Sequence, residues 1–212
     1  MSTPDADVLE VPIVLVGAGP IGLEVAIALK RAGLVYLHLD QGPVAATIHW
    51  FPEQMTFFSS ADRIAIGGIP VQTVGQQKCT KEEYLAYLRS VVLTHDLRIR
   101  TRERVTRLAR ETDGRFALQT ESARGRAHLR AEAVILATGG TARPRRLGIP
   151  GEDLPHVSHY FRDPHRHFAR RLLVVGGRNS AVEAALRCWH AGAQVALSYR
   201  RKAFDPSHVK YW

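Results

Sequence analysis

Short aliphatic runs alternate along the chain with longer amphipathic stretches, and glycines mark the junctions. Residues 11–16 form a valine-rich run of strand length that stops at Gly17. From Gly17 onward, in GAGPIGLEVAIALKRAG, apolar residues recur at helical spacing until an Ala-Gly pair closes the stretch. A second apolar run, residues 35–39, ends at Asp40. The same plan returns 159 positions later as residues 172–175, then GGRNSAVEAALRCWHAG from Gly176, then residues 195–197. Both copies carry glutamate at the same place, Glu24 and Glu183. Strand, glycine turn, helix, glycine stop and strand make a βαβ unit, because parallel neighbours need a crossover helix. The pattern predicts an α/β fold with two Rossmann-like dinucleotide-binding units.

Between the copies the period changes. Thr80-Lys81-Glu82-Glu83 has the spacing of a capping box, and Tyr84, Tyr87, Leu88 and Val91 follow on one face, which predicts a helix over 80–94. Alternating stretches at 97–100, 105–109, 115–120 and 127–131 are separated by turn residues such as Asp113-Gly114 and Gly125. They read as a small antiparallel β insert, about 97–131, within the first unit. Residues 134–137 return as a buried parallel strand that ends in Thr138-Gly139-Gly140. The expected division is a first domain over 1–152, a linker over 153–170, and the start of a second domain over 171–212. A mononucleotide-binding half is βαβαβ, and the second unit supplies only βαβ, so it reads as incomplete and the chain as truncated.

Composition narrows the class. An apolar share of 45% excludes intrinsic disorder, and no apolar run is long enough to span a membrane. Two cysteines, Cys79 and Cys188, make no disulfide framework, and with no secretory signal visible the cytoplasm is the expected compartment. The net charge of +9 comes from 24 Arg and 5 Lys scattered along the chain. No nucleic-acid-binding motif accompanies them, so a solvated basic surface or anion subsites are the expected reading.

The glycine turns carry the candidate chemistry. Gly17-Ala18-Gly19-Pro20-Ile21-Gly22 is a full G-x-G-x-x-G between strand and helix. Its first glycine permits the tight turn, the second lets backbone approach a pyrophosphate, and the third allows helix–strand packing. The helix N-terminus then holds the anion. Asp40 at the end of the next strand, with Gln41 beside it, is placed to accept ribose hydroxyls. In the second turn, Gly176-Gly177-Arg178-Asn179-Ser180-Ala181, Arg178 replaces the second glycine. In register, Tyr199 stands where Asp40 does, and Arg200, Arg201 and Lys202 follow. An acid there would repel a 2′-phosphate and arginine pairs with one, so NADPH is expected over NADH. The cluster His156, His159, His165 and His167 lacks metal-site spacing, and no metal is expected. No catalytic side chain is assigned.

These features, with FPEQMTFFSSADRIAIGGIP, ILATG and IPGEDLPHVSHYF, resemble FAD-dependent pyridine-nucleotide reductases of the thioredoxin reductase type, and more closely the YpdA-type bacillithiol disulfide reductases. The resemblance implies FAD in the first unit and NADPH in the second. It implies that Gly17, Gly19, Pro20, Ile21, Gly22, Asp40 and Gln41 hold FAD, with Phe58, Ser59, Thr138 and Gly139 close to it. Gly176, Gly177, Asn179 and Ser180, with Arg200 and Arg201, would hold NADPH. Three departures accompany the resemblance. No Cys-x-x-Cys follows Val157-Ser158, so no internal dithiol relays electrons. Ile21 stands where YpdA-type proteins typically carry a turn cysteine. The family's chain is longer. The implied function is NADPH-dependent reduction of a low-molecular-weight disulfide such as bacillithiol disulfide. A ferredoxin- or flavodoxin-type NADP reductase and a non-catalytic nucleotide-binding remnant are the alternatives. Expected partners are a small-molecule disulfide or small redox protein and, as a candidate, a second copy of the chain, with neither nucleic acid nor membrane.

Overall fold

The computed structural model describes residues 8–141 and 144–204, so the 205–212 end of the expected second domain lies outside the described residues. The chain separates into two compact units, Met1–Arg143 and Pro144–Trp212. The stretch 153–170, read from the sequence as a linker, groups with the second unit. No helix among the described residues is long and apolar enough to cross a membrane.

The first unit holds a six-stranded sheet in the order β3-β2-β1-β6-β5-β4. Its strands are β1 (Val8–Val16), β2 (Tyr36–Asp40), β3 (Ile99–Thr101), β4 (Arg104–Arg110), β5 (Phe116–Ser122) and β6 (Gly125–Leu136). Helix α1 (Pro20–Arg31) crosses from β1 to its parallel neighbour β2 and buries Leu23, Ala26 and Ile27. Short helices α2 (Ala46–His49) and α3 (Ala61–Ile64) precede α4 (Lys81–Thr94). Helix α4 opens with the expected capping box: Glu83 N–H donates to the Thr80 hydroxyl at 3.2 Å, and Thr80 N–H donates to the Glu83 carboxylate at 2.8 Å. Its face of Tyr84, Tyr87, Leu88 and Val91 packs with Leu15, Leu23 and Ile27 in one apolar cluster. Fully burying such side chains stabilises the unit by roughly 1.5–3 kcal/mol each.

The structure corrects two details of the insert. β3 pairs with β2 in parallel, so it extends the nucleotide-binding sheet rather than joining the antiparallel strands. The stretches at 127–131 and 134–137 are one strand, β6, uninterrupted at Glu132. β6 pairs with β5 antiparallel on one side and with β1 in parallel on the other, which removes any need for a turn between its halves.

In the second unit, β7 (Arg171–Val175) and β8 (Gln194–Ser198) form a parallel pair joined by α5 (Asn179–His190). The repeat read from sequence recurs in matching backbone hydrogen bonds. Gly17 N–H donates to Leu39 O at 2.7 Å, and Gly176 N–H to Ser198 O at 2.9 Å. The helix ends match as well, with Leu34 N–H to Leu29 O and Ala193 N–H to Cys188 O, both at 3.0 Å.

Candidate functional site

A cleft of about 820 Å³ opens in the first unit at the carboxyl ends of β1, β2 and β6. That is where open α/β sheets bind ligands, and the volume suits a small molecule. One wall is the glycine turn itself, where Gly17 takes φ +110°, a conformation that L side chains rarely adopt. Gly22 stands behind it in α1, so close that a Cβ would overlap the Gly17 carbonyl oxygen. Nothing lies near where a Cβ on Gly19 would project. The backbone at this point is bare, as contact with a diphosphate requires. Gly19 is also the cap position of α1, with no side-chain cap and Pro20 at the first helical position. The first-turn N–H groups are therefore left for an anion rather than for the protein.

Asp40 closes the far end. Its carboxylate accepts Ala18 N–H at 2.6 Å and Gly42 N–H at 2.7 Å, one on each oxygen. A carboxylate oxygen has two lone pairs, so each keeps acceptor capacity for a ribose hydroxyl. Gln41, Ile21, Thr138 and Gly139 complete the lining, and Ile21 is exposed there. These residues fit an extended dinucleotide: a bare turn for the diphosphate and an anchored acid for the ribose.

Phe58 and Ser59 do not line this cleft. Their neighbour Phe57 turns into the core, its ring edge-on to that of Tyr84 with the centroids 4.8 Å apart and its N–H on Cys79 O. Sequence reading missed the α2 side of the cleft, Ala46 to Ile48, and Glu103 with Arg104 at the head of β4. No local motif marks them, because the sheet order alone brings them there. It also missed His38, fully buried under the turn, whose only signal was a lone polar residue in an apolar strand.

The second turn is built on the same frame with different side chains. Gly176 takes φ +144°, and α5 again starts without a side-chain cap, Asn179 and Ser180 lying in its first turn. The Tyr199 ring lies directly on Gly177 and stacks on Phe204 at 5.0 Å. Arg200 and Arg201 are exposed beyond it. The arrangement offers an uncapped helix start and two exposed arginines near the strand end, a donor set suited to a dinucleotide carrying a 2′-phosphate.

Neither cysteine of this chain faces the cleft. Cys79 and Cys188, the two cysteines of the chain, are both fully buried. Burial, with Glu83 nearby, pushes the Cys79 thiol up to about 11, and burial raises Cys188 as well, so neither supplies a thiolate at neutral pH. Among the described residues no group of three or more His, Cys, Asp and Glu is arranged to hold a metal ion.

The model of the pyridine nucleotide-disulphide oxidoreductase family matches residues 14–212. Bacilliredoxin reductase Bdr of Bacillus subtilis is 34% identical over 94% of this chain and 60% of its own length. A ferredoxin–NADP reductase of Ignicoccus hospitalis is 32% identical over 90% of this chain and 56% of its own. Among solved structures, bacillithiol disulfide reductase Bdr (YpdA) from Bacillus cereus superposes with a TM-score of 0.90 at 33% identity, covering 96% of this chain and 62% of that one. The chain thus spans about 60% of the length of the relatives it matches.

Proposed function

The chain belongs to the pyridine nucleotide-disulphide oxidoreductase family, and from that premise we propose that it is the FAD- and NADPH-binding portion of a flavoprotein oxidoreductase. The acceptor is a low-molecular-weight disulfide such as bacillithiol disulfide, the substrate after which its structural relatives are named. The observation that carries this reading is the cleft in which Gly17, Gly19, Asp40, Thr138 and Gly139 converge. Bound FAD would supply the hydride and electron chemistry, as cofactors do in such enzymes. The protein's part is binding and orientation. The Gly17–Gly22 turn and the α1 N-terminus take the diphosphate, Asp40 takes the ribose, and Ile21, Thr138 and Gly139 wall the cleft. In the second unit Gly176, Gly177, Asn179 and Ser180 take the NADPH diphosphate, and Arg200 and Arg201 take the 2′-phosphate.

A ferredoxin-type NADP reductase is the second reading. It is favoured by the burial of both cysteines, since such an enzyme needs no protein thiol.

The test is direct. Purified chain should carry or take up FAD, seen by flavin absorbance, and NADPH should bleach it anaerobically. Arg200→Ala with Arg201→Ala should weaken NADPH binding by about tenfold or more, the scale of a lost charge-assisted contact, and leave NADH binding unchanged. A chain that takes up no flavin overturns the reading. Reoxidation by bacillithiol disulfide or by ferredoxin separates the two acceptors.

A further inference from the structure

Three consecutive residues of β2 hold the first glycine turn from beneath. Leu39 O accepts Gly17 N–H at 2.7 Å, and Asp40 accepts Ala18 N–H at 2.6 Å. The third contact is His38 Nε2 with the Gly17 carbonyl oxygen, at 2.9 Å. We propose that His38 is a positioning residue for the dinucleotide turn: its Nε2–H holds the Gly17 carbonyl down against α1, and so fixes the amides that face the cofactor. The proposal rests on the FAD reading of the cleft and adds to it a residue that never touches the ligand.

The chemistry of the pair fixes the proton. A carbonyl oxygen only accepts, so Nε2 must carry the hydrogen. Nδ1 is buried and has no hydrogen-bond partner among the described residues. A neutral ring with a bare Nδ1 leaves one acceptor unsatisfied, whereas an imidazolium would bury a second N–H and a charge. Burial accordingly pushes the His38 pKa below the ordinary histidine value, against the smaller opposing pull of the Gly17 hydrogen bond and of Asp40. An unpartnered ring nitrogen in an apolar strand has a cost that an aliphatic residue would avoid, so the Nε2–H contact is what the position gains.

Geometry shows why this carbonyl needs holding. It sits where any side chain on Gly22 would intrude, wedged between the α1 backbone and the His38 ring. If the Gly17 peptide rotated, its oxygen would leave this slot and the following N–H would turn away from Asp40. The repeat supplies an internal comparison. In the second unit Leu197 occupies the register position of His38 and Tyr199 that of Asp40, while the backbone bond Gly176 N–H to Ser198 O is retained. The first turn therefore has two side-chain clamps whose counterparts in the second turn are an aliphatic chain and a phenol ring. A turn clamped on three sides suits a cofactor that stays bound, and a looser one suits a nucleotide that must exchange.

The experiment uses the whole chain with His38→Leu, which installs the residue of the second unit, and His38→Gln, whose amide can restore the donor. In the FAD-free chain, hydrogen exchange at Gly17 and Ala18 should quicken by roughly five- to tenfold in H38L and return toward the wild-type rate in H38Q. FAD affinity, read by flavin fluorescence, should fall by a similar factor and recover in the same order, while NADPH affinity stays constant. Circular dichroism identifies variants that fail to fold. For those, ¹⁵N NMR of the wild-type imidazole decides, with an Nε2–H tautomer at neutral pH expected. Wild-type exchange and affinity in a folded H38L, or an Nδ1–H tautomer in the wild type, would overturn the proposal. If the wild type takes up no FAD, the functional reading fails and the exchange arm still decides the role of His38.

Discussion

Tyr199 and Asp40 occupy one register position in the two units and solve the same local problem differently. Asp40 draws in the N–H of Ala18, whereas Tyr199 lays its ring on Gly177, the residue equivalent to Ala18. Gly177 needs to be glycine because of that ring, since the atoms a Cβ would meet include Cγ, at the ring's fixed end. Gly19 presents the opposite case, with φ −78° and open space where a Cβ would project. Alanine at the two positions should therefore separate stability from binding. Gly177→Ala must displace the Tyr199–Phe204 pair and should cost the second unit about 1–3 kcal/mol, as overpacking does. Thermal melting followed by near-ultraviolet dichroism of the aromatic pair would record it. Gly19→Ala should melt like the wild type and yet bind FAD more weakly, because its methyl projects into the cleft. Equal melting of both variants would refute the distinction. The sequence register brought Tyr199 opposite Asp40, but only as the loss of an acid. That the ring packs down on the turn depends on a side-chain torsion, which no spacing encodes.

Among the elements, those with a local cause were legible. α1 and α5 were bounded by glycines at both ends, and α4 was announced by the Thr80–Glu83 box. The reading failed where the cause was a partner distant in sequence. Glu132 looks like the end of a strand, but β6 continues through it because β1 and β5 flank it on opposite sides. The cleft was legible as its glycines and Asp40, and illegible where α2 and the head of β4 fold over it. The 144–170 stretch shows the same limit. Its histidines read from the sequence only as a cluster without metal-site spacing, whereas His159 donates to Glu152 at 2.9 Å. That carboxylate also accepts Leu147 N–H at 2.8 Å and Gly148 N–H at 2.7 Å, which ties the segment into a closed loop. The His159 hydrogen bond, then the backbone donors, hold the Glu152 pKa down to about 2, against an ordinary 4.5. A lowered carboxylate pKa stabilises the native state above the unfolded value and is lost as pH falls through the folded one. Stability should therefore decline between about pH 4.5 and pH 2 in the wild type, and Glu152→Gln should flatten that part of the profile. Urea midpoints across this window check it, and parallel profiles for the two proteins would count against the clasp.

At the scale of the whole molecule the two units differ in how much they bury, and each holds one cysteine as a reporter. The first unit has a continuous apolar cluster that includes Leu15, Leu23, Ile27, Leu88 and Val91, with Cys79 inside it. In the second unit the buried apolar residues, among those described, are Ala184, Cys188 and Ala193, while Leu173, Val175 and Trp189 are exposed. Hydrophobic stabilisation scales with apolar area removed from water, so the second unit has the smaller share and should open first. Thiol labelling turns this into a measurement, because neither cysteine is accessible or ionised in the native chain. Native protein should resist N-ethylmaleimide over a period in which the urea-unfolded chain takes up two equivalents. As urea rises, peptide mass spectrometry should find label on Cys188 at concentrations that leave Cys79 unmodified. Labelling of both cysteines at one midpoint, or of Cys79 first, would contradict this order. Rapid labelling of either thiol without denaturant would reopen the thiol chemistry that its burial closes.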